Sequence, residues 1–162
     1  MMKLAIACTL LSLSLSAQDQ QNIMAPIHAV FEGMKRGDSA MVHKAFYKDA
    51  FLHTVVKDQK SGQPALRTEK LASFLKSVGT PHQQVYLELI WGEKIQVDGD
   101  FAQVWVDYAF YLGSTFSHCG VDAFHLIRNG QGEWQIYSLS DTRRKEGCNV
   151  PKEVSDKAAG NK

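Results

Sequence analysis

Two tight-turn strings, "DGD" at residues 98–100 and "NGQG" at 129–132, divide the second half of this chain into long runs of apolar, aromatic and β-branched residues. "QVYLELIWGEKIQV" and "FAQVWVDYAFYL" flank the first turn; "VDAFHLIR" and "EWQIYSLSD" flank the second. Turns this short force the runs they join to lie side by side and antiparallel. The pattern predicts two long hairpins forming one meander. Whatever precedes them must cover one face of that sheet.

Upstream, the apolar period changes from two to 3.6. Ile27, Val30, Phe31 and Met34 recur at i, i+3, i+4 and i+7, with Pro26 in the first turn and "RGD" closing the segment, which predicts an amphipathic helix. Asp38 or Ser39 can cap a second short helix with Val42, Ala45 and Phe46 on one face. "YKDAFLHTVV" then reads as a strand. A third helix, with Leu71, Phe74, Leu75 and Val78 on its apolar face, is expected to use the Thr68 hydroxyl as its cap and to stop at Gly79 and Pro81. Between them, "KDQKSGQPALR" is a polar turn or a small hairpin able to lie over a cavity mouth. Helices first and a meander last predict an α+β fold, with three N-terminal helices packed on one face of a mostly antiparallel sheet.

With 162 residues, the chain has room for one domain. "MMKLAIACTLLSLSLSAQDQ" has a Lys, an apolar run from Leu4 to Leu15, and small residues before a polar stretch. That is the layout of a secretory signal peptide, expected at residues 1–17, and the run is too short to span a bilayer. Cys8 stands too early in it for a lipoprotein signal. The domain is expected at residues 22–148 and a disordered tail at 149–162, where Pro, Lys, Gly and Asn leave little to bury. Loss of Lys3 would leave 17 of the 18 basic residues against 17 acidic ones. A near-neutral chain offers no electrostatic case for nucleic acid or an anionic membrane as partner. Cys119 and Cys148, left alone in an exported chain, are expected to pair.

The strings "GDSAMVHKAFYKDAFLHT", "VDGDFAQVWVDYAF" and "FHLIRNGQGEWQIYSLSDTRR" resemble, in order and spacing, the nuclear-transport-factor-2-like superfamily. The likeness is to its small bacterial branch of SnoaL-like and putative lumazine-binding proteins, over about residues 25–144. It implies a cone: helices lining the open side of a strongly bent sheet, with a pocket inside. It does not imply one function, since the superfamily holds isomerases, dehydratases, epoxide hydrolases, cyclases and members that only bind or dimerise.

Enzymes of this architecture place an Asp, or a His with an Asp, inside the cone as base. Two candidates follow, Asp122 and His53, each with a plainer role beside it. Asp122 can satisfy backbone donors at a strand start, and His53 can be a structural histidine. Carrying the Trp134 and Ile136 face onward by strand alternation places Ser138 and Ser140 inside, opposite Phe124 and Asp122, and puts Asp141 and Arg143 on the outer face with His125 and Tyr137. A one-residue slip would reverse this.

The expected ligand-binding set is Tyr108, Phe110, Phe124, Trp134, Ser138 and Ser140. Tyr108 serves either as a handle for a ligand or as core with its hydroxyl satisfied. Trp91, Trp105 and Tyr111 would face outward together and suggest a homodimer surface. His118, Asp122 and His125 look like metal ligands, but 122 and 125 point to opposite faces and 118 lies ~13 Å along the strand from 122, so no metal is expected. No G-x-S-x-G elbow, P-loop, dinucleotide fingerprint or C-x-x-C is present, and no cofactor is expected.

Two readings from different classes follow. One is an exported ligand-binding or dimeric accessory protein with an aromatic-lined pocket for a small apolar or aromatic molecule. The other is a small lyase or isomerase using Asp122 or His53 as base, with Tyr108 stabilising an oxyanion. A structural protein with a filled cone is the third.

Overall fold

The computed structural model describes residues 15–160; the expected signal peptide, apart from its last three residues, lies outside them. Helices α1 (Ala17–Arg36) and α2 (Ser39–Ala45) lead into β1 (Phe46–Lys57) and β2 (Pro64–Lys70), followed by α3 (Leu71–Gly79). Then come β3 (Tyr86–Asp98), β4 (Phe101–Leu112), β5 (Thr115–Arg128), β6 (Trp134–Thr142) and α4 (Lys152–Ala159). The six strands form one open sheet in the order β2-β1-β6-β5-β4-β3. Only β1 and β6 run parallel; the other neighbours are antiparallel. This is the expected α+β architecture, with the meander formed by β3 to β6.

Helix α1 begins well before Ile27. Ser16 accepts a hydrogen bond from the Asp19 N–H, and the apolar face continues upstream through buried Ile23 and Met24. Pro26, expected in the first turn, therefore sits mid-helix. Burial of that stripe against the sheet outweighs the one backbone bond a proline removes. Gly37, at φ 68°, closes the helix in the left-handed conformation. Asp38 then caps α2 by accepting from the Met41 N–H. The expected cap of α3 does not form: Lys70 stands at the N-cap with no side-chain bond, and Thr68 lies within the β2 ladder, its hydroxyl on His53.

The sheet is bent by register shifts. One interrupts β1 between Phe46 and Phe51, where Asp49 has φ 60°. Another falls in β3 between Trp91 and Lys94, at Gly92. A third separates Phe110 from Tyr111 in β4, and a fourth separates His125 from Leu126 opposite β6. Extra residues of this kind kink a strand and increase its twist, which curls the sheet around α1 and α3. The narrow end of the cone is packed solid: Ala102, Val104, Val106, Phe124, Leu126 and Ile136 have no exposed surface. Phe31 from α1 meets the Phe124 ring edge-on at 6.1 Å.

The expected disordered tail is instead partly helical. Val154 and Ala158 of α4 are buried, and Ala158 packs with Leu87, Ala109 and Tyr111 on the outer face of the sheet. Cys119 and Cys148 are joined by a disulfide. The bridge closes a loop with a sequence separation of 29 residues, a constraint worth about 3 to 4 kcal/mol in the chain-entropy account. It also ties the segment leading to α4 onto β5, where Cys119 and Arg144 pair through their backbones.

Candidate functional site

The wide end of the cone holds a cavity of about 290 Å³. Val30, Phe31 and Met34 of α1 and Phe74 of α3 form one side of it. Tyr86, Phe110 and Leu139 extend that apolar wall on the sheet. Facing them is a polar wall drawn from four strands: Glu88 on β3, Tyr108 on β4, His118 and Asp122 on β5, and Asp141 on β6 with Arg143 just beyond it.

Asp122 is 3% exposed, the only buried charged residue among those described. It pairs with Val106 across β4, while Glu88 pairs with Phe110 on the other edge of that strand. The two carboxyls thus approach each other diagonally over Tyr108, and their side chains hydrogen-bond. Asp122 Oδ2 is buried with no donor from the rest of the described chain. Two carboxylates are both acceptors, so the bond between them exists only while one keeps a proton. Burial, then the neighbouring carboxyl, holds Asp122 well above the usual carboxylate range. Burial likewise pushes Glu88 up to about 7. Each carboxyl of the pair therefore gives up its proton at a higher pH than a solvated carboxyl does.

Asp141 is held more conventionally. Thr54 Oγ donates to it at 2.5 Å and Arg143 Nε at 2.7 Å. The Arg143 side chain is 52% exposed, against 11% for Asp141, so this ion pair sits at the cavity mouth and water screens it. Burial works against the Arg143 charge, but the Asp141 bond outweighs it and the guanidinium stays protonated. Burial, then Arg143, pushes the His118 imidazole below its usual value. His118 is therefore neutral at pH 7, with Nδ1 3.0 Å from Ser117 Oγ and its ring edge-on to Tyr108.

The Tyr108 hydroxyl is already committed. It donates to the Thr142 carbonyl at 2.9 Å, with the residue 2% exposed. Burial, then the Glu88 charge, raises its pKa far above neutrality. A hydroxyl fixed on a backbone carbonyl is not free to meet an oxyanion, which removes Tyr108 from the expected catalytic role. Gly120 makes the contact fit: a Cβ there would stand 1.7 Å from the Thr142 oxygen and 2.7 Å from the Tyr108 ring.

Several sequence expectations change with the register of β5 and β6. Leu126 does face Ile136, but the shift beyond it pairs Phe124 with Leu139 and Asp122 with Asp141. The bulge reverses the parity of β6. Ser138 and Ser140 consequently leave the cavity, and Asp141 and Arg143, expected outside, line it. Phe110 and Tyr108 line the cavity; Phe124 lies in the solid core, and Trp134 stacks under Arg128 at 5.2 Å, away from this cavity. His53 reaches the rim, with Nδ1 3.0 Å from Thr68 Oγ on its paired strand.

On the outer face, Trp105 is 43% exposed and Trp91 half-buried, but Tyr111 lies beneath α4 and cannot contribute to a surface between copies. Glu88 was missed altogether. Its signal is a carboxyl set between Leu87 and Leu89 on the same face as Tyr86 and Ile90.

A cone with a recessed cavity of mixed polar and apolar lining defines a ligand-binding type of α+β fold. The chain belongs to the family described as putative lumazine-binding, which matches residues 18–139, and its fold is that of nuclear-transport-factor-2-like proteins. A protein of unknown function from Shewanella baltica is 17% identical, with a TM-score of 0.63, over 82% of this chain and 99% of that one. The β subunit of a putative aromatic-ring-hydroxylating dioxygenase from Novosphingobium aromaticivorans is 15% identical, with a TM-score of 0.64, over 80% and 92%. A putative dehydratase from Streptomyces avermitilis is 16% identical, with a TM-score of 0.59, over 78% and 96%. Identities this low show the fold alone. No curated protein matches the sequence. Among the described residues no helix is long and apolar enough to cross a membrane.

Proposed function

We propose that this chain is an exported small-molecule-binding protein whose cone holds a ligand with an apolar or aromatic body and a polar head. The observation that carries the reading is the cavity of about 290 Å³ with hydrocarbon and aromatic walls converging on Asp122, whose Oδ2 has no donor among the described residues. That volume is at the small end of ligand sites, which run from ~300 to 1,000 Å³. The family description points to a bicyclic heterocycle of the lumazine type as the first candidate. A disulfide is consistent with export into an oxidising compartment. Trp105 and Phe101 are exposed and available for self-association.

Acid–base catalysis is the second reading, favoured by one observation: neutral His118 and the proton-sharing Glu88–Asp122 pair share a wall. In that reading Asp122 rather than His53 faces the reacting atoms, and a substrate with an acidic C–H would exchange it for deuterium in the protein's presence.

Native mass spectrometry of protein purified from its own host tests the binding reading. A retained small molecule, released on denaturation and able to raise Tm when added back, is the expected result. A protein carrying no ligand and unmoved in Tm by lumazine-type and other aromatic compounds would sink it.

A further inference from the structure

The charges around the cavity do not balance. Among the described residues, Glu88, Asp122 and Asp141 face it, with Glu69 of β2 at the rim, against one cation, Arg143. Arg143 is spoken for by Asp141, at the mouth and half in water. His118 on β5 and Tyr108 on β4 are neutral. His53 of β1 bonds Thr68. The helices contribute no charge to the lining: α1 gives Val30, Phe31 and Met34, and α3 gives Phe74 and Ser77. Among the described residues the Glu88–Asp122 pair thus has no cation of its own, and Asp122 Oδ2, on a residue 3% exposed, has no donor. A buried carboxylate left so is costly until something positive meets it.

Resting on the ligand-binding reading above, we infer that the polar head of the ligand is cationic: a primary ammonium or amidinium whose N–H groups bridge Asp122 Oδ2 and the Glu88 carboxyl, with an aromatic or hydrocarbon body against Phe31, Phe74 and Phe110. In the empty cavity a proton occupies the place of that head. The ammonium replaces it, the shared proton leaves to solvent, and both carboxyls become ionised around the incoming charge. Nitrogen donors bonded to two carboxylates form charge-assisted bonds, stronger than those a neutral donor makes. Arg143 does not oppose this strongly, because Asp141 neutralises it and solvent surrounds half of it.

Displacement of a proton makes the affinity depend on pH in a stated direction. Below the range in which the pair loses its last proton, each unit rise in pH should strengthen binding close to tenfold, until the amine itself begins to deprotonate. A neutral head would displace nothing and show no slope.

The test is an NMR and calorimetric titration of the full oxidised chain with benzylamine and its neutral counterpart benzyl alcohol between pH 6 and 8. The expected result is binding of benzylamine at least tenfold tighter than benzyl alcohol at pH 8, rising with pH. About one proton should be released per ligand, counted from heats in two buffers of different ionisation enthalpy. Glu88→Gln and Asp122→Asn should each remove that slope and most of the tenfold preference; an unchanged circular dichroism spectrum and a cooperative thermal transition show that the variants fold. Equal affinity for the alcohol, or tighter binding of a neutral lumazine-type heterocycle, with no proton release, would overturn the cationic head yet leave the cavity a binding site. Binding of none of these compounds would overturn both.

Discussion

The two ends of the cone are built from the same strands and obey opposite rules. At the narrow end, Val104, Phe124, Leu126 and Ile136 have no exposed surface and carry no polar side-chain atoms. At the wide end a cavity remains open, and two acidic side chains meet on its polar wall. Packing at the first end favours one folded state. At the second, burying Asp122 beside Glu88 costs free energy that a protein selected only for stability would avoid. The difference teaches where the solid end's stability is being used.

The largest effect that would test this division is at the solid end. Phe124→Ala removes a ring with no exposed surface and its edge contact to Phe31, and should cost about 3 to 5 kcal/mol, read from the urea unfolding midpoint. A loss below about 1 kcal/mol would mean that this end is not the stabilising one.

At the open end the sign reverses. Glu88 and Asp122 hold protons in the folded chain to higher pH than the ~4 at which the unfolded chain releases them. Between pH 4 and about 7 the native state therefore binds more protons than the unfolded state, and stability should fall as pH rises. Asp122→Asn should flatten that decline and make the protein roughly 1 to 3 kcal/mol more stable than wild type at pH 8. Denaturation at pH 5 and 8 checks both statements, and a wild-type stability that rises over the window would contradict the shared proton.

The smallest effect concerns the face of β6. Ser140→Ala should change stability by less than about 0.5 kcal/mol and leave ligand affinity unaltered, because the bulge turns this position out of the cavity. A marked loss of affinity would restore the unshifted register.

Much of this was legible along the chain. Alternating runs and their turn strings predict every strand of the meander, and the inward face of β4, from Ala102 to Phe110, follows from period two alone. Asp122 is visible as a polar residue on an apolar strand. Asp141 and Arg143 are not, because one extra residue near Tyr137 inverts every side chain beyond it, and a bulge leaves no reliable trace in composition. Nor is α4: Val154 and Ala158 are a weak apolar pair until the outer face of the sheet is there to receive them.

The sequence by itself determined the α+β class, the order of elements from α1 through the meander, much of the core and the cysteines available to pair, since these depend on local periodicity and turn chemistry. Only the tertiary structure decided which residues share the cavity. Glu88 and Asp122 stand on strands separated by all of β4, and it is the curl of the sheet over Tyr108 that brings two like charges within reach of a single proton.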